Sequence, residues 1–261
     1  MEKLCLHSFL DHGYEVHLYT YGDVAGVPAG VRIMDGCEIL PREQVFANEN
    51  GFGKGSYAGF SDLFRYHLLH KRGGWWFDMD FVSVKRLPPP DGLRFASSFE
   101  GKWGECANGC AIHAPPGHPV IALLCEESEK AMQSGDLVFG QIGPYLIQRL
   151  IREQSLQSHL APWWEFCPYP QQQIFLTAYQ GNPGCVKNLL RQVKYFIRQT
   201  LSPAFRAGYI RQGTRAVHFH NECWRADKRD KNARFHPFCL YERLKRRHLP
   251  HDPVASANGT R

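Results

Sequence analysis

Phe60-Ser61-Asp62-Leu63-Phe64-Arg65-Tyr66, followed by Leu68-Leu69 and then Gly73-Gly74-Trp75-Trp76-Phe77-Asp78-Met79-Asp80-Phe81-Val82, is the stretch on which the fold turns. Phe60, Leu63, Phe64 and Leu68 recur at helical spacing, which predicts a helix over 58–71 with one apolar face. Gly73-Gly74 ends it, because glycine takes the left-handed backbone of a helix C-terminus without a Cβ clash. An apolar run then starts at Trp75, is interrupted by Asp78-Met79-Asp80 and resumes at Phe81-Val82. Burying carboxylates in such a run is costly unless a cation meets them or the strand end opens into a cleft. Strand alternation would put Asp78 and Asp80 on one side, where both can face a single divalent ion. Oxygen donors favour Mg2+ or Mn2+, ions that keep waters and bridge to substrate phosphates.

Working outward, the chain reads as alternating helices and strands, the rhythm of an α/β fold. On the N-terminal side, 2–12 reads as a short amphipathic helix, 14–20 and 31–34 as strands, and 48–56 as a Gly/Asn/Ser-rich loop. On the C-terminal side, 95–99 and 111–114 read as strands, and 118–132 and 144–152 as helices, with Pro144 near the first turn of the second. Residues 161–173 hold Trp163, Trp164, Phe166 and Tyr169 among prolines and read as an irregular aromatic loop. A basic amphipathic helix is expected over 186–200, a strand over 217–219, a basic helix over 238–248 and a disordered tail over 249–261. No internal repeat or long linker divides the chain, so one domain over 1–248 is expected.

Composition bounds the chemistry. The 261 residues suffice for a sizeable core, and 43% hydrophobic with 21% charged residues is ordinary for a globular protein. The net charge of +6 is uneven: residues 211–261 carry 12 Lys/Arg against 5 Asp/Glu, and the remainder is close to neutral. That end suits an anionic partner such as a phospholipid surface or a phosphate-bearing acceptor, although a solvated helix face would read the same way. No nucleic-acid-binding motif accompanies it, so nucleic acid is not an expected partner. No apolar run approaches the roughly 20 residues of a membrane span, and the nine cysteines form no disulfide framework. A cytoplasmic location is the simplest expectation. Cys106, Cys110 and His113 offer the start of a zinc site, without a second ligand pair to complete it.

The quoted stretch closely resembles the D-x-D sugar-binding region of glycosyltransferase family 32. The Ser-Asp-x-x-Arg-Tyr helix, the Gly-Gly stop and the D-x-D arrive in the family's order. Weaker similarity continues at Asn108-Gly109-Cys110-Ala111-Ile112-His113-Ala114-Pro115, at Gly117-His118-Pro119, at Gly143-Pro144 and at Val217-His218-Phe219-His220-Asn221-Glu222-Cys223-Trp224. The resemblance spans roughly 2–247. It implies a GT-A fold, a Rossmann-like α/β sandwich with a mixed central sheet, and a retaining transfer from a nucleotide-sugar donor to a glycan or glycolipid acceptor. It implies that Asp62 and Arg65 contact the donor sugar, that Trp76 lies beside the donor, and that Asp78 touches the ribose or sugar or reaches the metal through water. Asp80 would be the direct ligand of Mn2+ or Mg2+, and His220 or His218 a further one. His218, His220 and Glu222 alternate on a possible strand. Trp224 would stack on the donor or cover the site, or else belong to the core. Asn108 would approach the reacting carbon.

Family members usually begin with an apolar strand that helps form the base pocket, and none precedes the helix starting at Glu2. Either the start lies upstream, or the chain is shortened and its donor binding weakened. The rival readings are an inactive nucleotide-sugar- or carbohydrate-binding protein and another metal-dependent phosphoryl-transfer enzyme. A two-metal enzyme of the latter kind often needs more carboxylates than Asp78 and Asp80 bring.

Overall fold

The helix read from the Phe60 stripe forms as α2, Ala58–Arg72. Gly73 stops it with φ 66°, and its N–H closes on the Leu69 carbonyl at 2.8 Å. A side chain at Gly73 would also run into Pro116, so two constraints fix glycine there. The apolar run that follows does not stay one strand. Trp75 and Trp76 belong to β3 (Gly74–Phe77), the chain turns through 78–80, and β4 (Phe81–Ser83) leaves for another sheet. The structure, a computed structural model, describes residues 1–249 apart from 50, 52, 89–90, 101–103, 136, 172–173, 175–176, 179–209 and 238.

The chain opens with α1 (Glu2–Asp11), then β1 (Val16–Thr20) and β2 (Val31–Asp35), which pair in parallel. After β4 come β5 (Arg94–Phe99) and β6 (Glu105–Ala114), both antiparallel partners in the sheet β3-β6-β5. Then follow α3 (Pro119–Gln133), a π-helical turn (Gln141–Tyr145), α4 (Leu146–Glu153) and α5 (Trp163–Phe166). Last come β7 (Ala216–His218), α6 (Asn221–Ala226) and α7 (Leu240–His248).

This is a mixed α/β fold, but its described strands form three small sheets rather than the one central mixed sheet expected. The Asp78–Asp80 turn is one physical reason, because it hands the chain from β3 to β4 and β4 pairs antiparallel with β7, Phe81 opposite His218. β6 is longer than expected, since residues 105–110 are small or polar and carry no strand signal of their own. Pairing with β5 holds them extended.

The three-stranded sheet is covered on both faces, as alternation requires. Phe95 and Ile112 pack with Tyr66, Leu69, Ile121, Leu124, Ile147 and Leu150, residues of α2, α3 and α4. Ala96, Cys110 and Ala111 pack with Cys5 and Phe9 of α1 and with Phe166 and Cys167. A further cluster joins Leu4, Val82, Val217, Phe219, Trp224, Tyr241 and Leu244. The 161–173 loop contains α5, which is tied to β5 by Ala161 N–H on the Phe95 carbonyl at 2.8 Å. The expected 186–200 helix and nearly all of the 249–261 tail lie outside the described residues. Among the described residues no helix is long and apolar enough to cross a membrane.

Candidate metal and sugar site

Asp78 and Asp80 come together through a turn, not through strand alternation. Asp78 N–H bonds the Cys110 carbonyl at 2.9 Å, continuing the β3–β6 ladder by one residue. Phe81 N–H then closes back on the Asp78 carbonyl, and the Asp80 carbonyl accepts from Phe219 N–H at 2.9 Å. Each aspartate is thus pinned to a different sheet, and the two carboxylates meet at the junction.

Asp80 is 8% exposed, and its oxygens are unequal. Oδ2 accepts from Asn221 N–H at 2.6 Å and lies 3.2 Å from His218 Nε2. Oδ1 is buried and has no hydrogen-bond partner among the described residues. Burial pushes this carboxyl up, but His218 and the Asn221 N–H outweigh burial and hold it at about 2. A buried, ionised oxygen with no donor is a cost that a cation removes. One ligand atom each of Asp78, Asp80 and His218 lie within 4.8 Å of one another. The residues therefore fit a divalent cation held by carboxylate oxygens, with an imidazole beside it.

Asp78 is held from the other side. Its Oδ1 accepts from the Trp76 indole N–H at 2.8 Å and sits 3.1 Å from Arg65 Nη2. Arg65 is itself buried, yet it is paired with Asp62 Oδ1 at 3.1 Å and donates to the Gly109 carbonyl at 2.6 Å. Its guanidinium also lies over the Trp76 ring, 5.2 Å from the centroid. Asp62, Arg65, Trp76 and Asp78 thus form one connected group. The i, i+3 spacing of Asp62 and Arg65 does place them on one face of α2, as the sequence suggested.

Two glycines allow this group to close. Gly109 stands where a register shift lets β6 bulge away from β5, and an added Cβ would lie 2.5 Å from Arg65 Nη1. Gly143, in the π-helical turn, leaves room for the Asp62 carboxylate, which an added Cβ would overlap. Gly143→Ala is expected to cost about 1–3 kcal/mol in a denaturation experiment, because the buried Asp62–Arg65 pair has nowhere to move. A cost below about 0.5 kcal/mol would mean that the turn gives way easily.

The C-terminal motif does not continue as a strand. His218 ends β7 and stacks on Phe81, ring centroids 4.6 Å apart and ring planes nearly parallel. His220 takes φ 50°, a left-handed backbone rare for a residue with a side chain, and starts α6. The two rings stay adjacent at 4.0 Å. Burial and the neighbouring His218 lower His220 to about 3, so its ring is neutral at ordinary pH. Its Nε2 lies 3.4 Å from the Tyr169 carbonyl. Glu222 does not face the same way, being on α6 and paired with Arg225 at 2.8 Å.

No protein-family model and no curated protein matches this chain. Among solved structures it is similar to the PaToxG glycosyltransferase, with 17% identity over 79% of this chain and 76% of that one and a TM-score of 0.44. That likeness is too distant to give any residue a role.

Other expected site residues are placed as follows. Trp224 is 1% exposed, packs on Phe235 and Tyr241 and donates its indole N–H to the Phe219 carbonyl. Its ring is therefore a core element under the His218–His220 segment rather than a wall for a donor. Asn108 lies on β6, its amide oxygen accepting from Cys110 N–H at 3.0 Å. The suggested zinc trio does not assemble: His113 bonds the Gly92 carbonyl, while Cys110 faces Cys167. A cleft of about 980 Å3 reaches the acidic turn only through Met79 and is lined by neither Asp78 nor Asp80. The Asn221 N–H had no sequence signal, because a backbone donor is invisible until the turn that aims it is known.

Asp62 supplies a pH dependence. Its burial pushes the carboxyl up to about 6, against the pull of Arg65. An acid that holds its proton more tightly folded than unfolded stabilises the fold fully below its unfolded value of about 4. That contribution is lost as pH rises through about 6. Asp62→Asn removes the titration. Urea melts should therefore show the variant gaining stability relative to the native chain between about pH 4.5 and pH 7. A constant difference across that window would exclude the shift.

Proposed function

We propose that this protein is a metal-dependent retaining glycosyltransferase that moves a sugar from a nucleotide-sugar donor to a glycan or glycolipid acceptor. The observation that carries the reading is Asp80 Oδ1, ionised, buried and unpartnered at a junction where Asp78 and His218 also converge. The order of Asp62, Arg65, Trp76, Asp78 and Asp80 along α2, β3 and the turn after it, which resembles family 32, supplies the substrate class.

In this reading Asp80 Oδ1 would bind Mn2+ or Mg2+ directly, and Asp78 and His218 or His220 would help to hold it. The ion, when bound, supplies Lewis-acid stabilisation of a departing diphosphate. The chain's own work is positioning. The Asn221 N–H and His218 lock Asp80 Oδ2, so that Oδ1 keeps one direction. Arg65 and the Trp76 N–H do the same for Asp78. Asp62, titrating near neutrality, can accept from or donate to a sugar hydroxyl. The acceptor hydroxyl attacks from the face the diphosphate leaves and passes its proton to a phosphate oxygen of that leaving group, with Asn108 near the reacting carbon. A role in surface polysaccharide synthesis on the cytoplasmic side of an anionic membrane fits the basic last turn of α7, which holds Lys245, Arg246, Arg247 and His248.

The test is a donor screen. Purified protein meets UDP-glucose, UDP-galactose, their N-acetyl forms and GDP-mannose, each with Mn2+ or with EDTA, and release of nucleoside diphosphate is followed. Release from one donor that EDTA abolishes is the expected result. Hydrolysis of a phosphodiester with no sugar transfer would overturn the reading.

A further inference from the structure

Behind the acidic turn lies a second cluster, which shares His218 with the first and adds two thiols that the transferase reading does not use. Cys110 of β6, Cys167 just after α5 and His218 of β7 are 1%, 0% and 7% exposed. They come from three separate stretches of chain, yet one ligand atom of each lies within 4.8 Å of the others. The Cys110 and Cys167 sulfurs are 3.7 Å apart, and Cys167 Sγ is 3.9 Å from His218 Nδ1.

We propose that Cys110, Cys167 and His218 Nδ1 form a buried site for a thiophilic cation, Zn2+ in particular, separate from the carboxylate site.

Three observations support this. Tetrahedral zinc with bonds of about 2.3 Å to sulfur and about 2.0–2.1 Å to nitrogen has ligand–ligand edges of roughly 3.8 Å for S–S and 3.5 Å for S–N. The cluster stands close to both before any adjustment. Charge also balances, because two thiolates neutralise Zn2+ within a buried apolar cluster that also holds Phe81, Ala111 and Phe166. Finally, the ring of His218 is oriented as a zinc-bound histidine usually is. Nδ1 faces the sulfurs while Nε2 lies 3.2 Å from Asp80 Oδ2, the carboxylate partner that commonly fixes a ligating imidazole. In that state Nε2–H donates to Asp80 Oδ2, and Asp80 Oδ1 is left for a hard ion. The thiophilic cation thus holds His218, His218 holds Asp80, and the two sites use different atoms.

The experiment starts with the native chain produced in zinc-supplemented medium and passed over a desalting column. Its zinc content is measured by mass spectrometry and its zinc environment by X-ray absorption. An equimolar amount of zinc is expected, with two sulfur neighbours at about 2.3 Å and the rest nitrogen or oxygen at about 2.0–2.1 Å. Cys110→Ala with Cys167→Ala should lose the zinc, whereas Asp78→Asn and the exposed Cys37→Ser should retain it. No retained zinc, a first shell of nitrogen and oxygen alone, a recovered Cys110–Cys167 disulfide, or loss of zinc in Asp78→Asn would each overturn the proposal. The absorption measurement uses the unaltered protein, so it decides the matter even if the double variant does not fold. It is also independent of whether any sugar donor is turned over.

Discussion

Asp80→Asn should lower metal-dependent release of nucleoside diphosphate by roughly 10^3-fold or more while the fold is kept. The asparagine has the same shape, and its side-chain carbonyl can still accept the Asn221 N–H that Asp80 Oδ2 now takes. Its NH2 group then stands where Oδ1 stood, so a donor replaces a buried anionic oxygen that has no hydrogen-bond partner among the described residues. A cation placed there meets two N–H groups instead of a carboxylate. Mn2+ binding, followed by the paramagnetic signal of the free ion, should weaken in parallel with turnover. Circular dichroism should stay native, which separates loss of the ion from loss of structure. Unchanged Mn2+ affinity and unchanged turnover would together remove Asp80 from the metal site.

Arg65→Met should cost about 3–5 kcal/mol of stability, the usual penalty for breaking a buried ion pair from one side. For a chain of this size that corresponds to a fall in Tm of roughly 10 °C. Arg65 serves two carboxylates at once, each at 3.1 Å, and also donates to the Gly109 carbonyl. Removing it leaves Asp62 buried without a cation and takes a donor from Asp78. Much of the cost is the desolvation of those acids, so adding Asp62→Asn to Arg65→Met should recover part of the lost stability. Arg65→Lys should fall between, because an ammonium keeps the charge but cannot reach both carboxylates and the carbonyl from one plane. A loss below about 1 kcal/mol for Arg65→Met would show that water enters freely and that the group behaves as a surface cluster.

These two effects rest on different kinds of information. The pairing of Asp62 with Arg65 is local: an i, i+3 spacing on a helix whose apolar stripe is plain in the sequence, ended by Gly73 at a positive φ. The elements around it were legible for the same reason, namely α1, β1, β2, α2, α3 and α7, where periodicity, stop signals and caps lie within a few residues. β6 was legible only at its apolar end, since Glu105 to Cys110 are extended by a neighbouring strand and not by their own preferences. The expected alternation over 78–80 and over 218–222 failed because hydrogen bonds from distant strands broke both runs. Phe81 pairs with His218, and Phe219 N–H reaches the Asp80 carbonyl. Trp224 shows the limit of residue type as evidence, since an aromatic in a promising motif serves a core as well as it would a ligand.

By itself the sequence determined which residues carry charge into an apolar setting, and where helices and turns must begin and end. Those are consequences of side-chain chemistry and short-range backbone geometry. Only the tertiary structure decided that Asp80 Oδ1 has no partner among the described residues and that His218 turns one nitrogen to that carboxylate and the other to Cys167. It also decided that Gly109 and Gly143 make room for Arg65 and Asp62. Each of these depends on groups in contact in space but tens of residues apart along the chain, and no local rule fixes the direction in which a buried polar atom finds its partner.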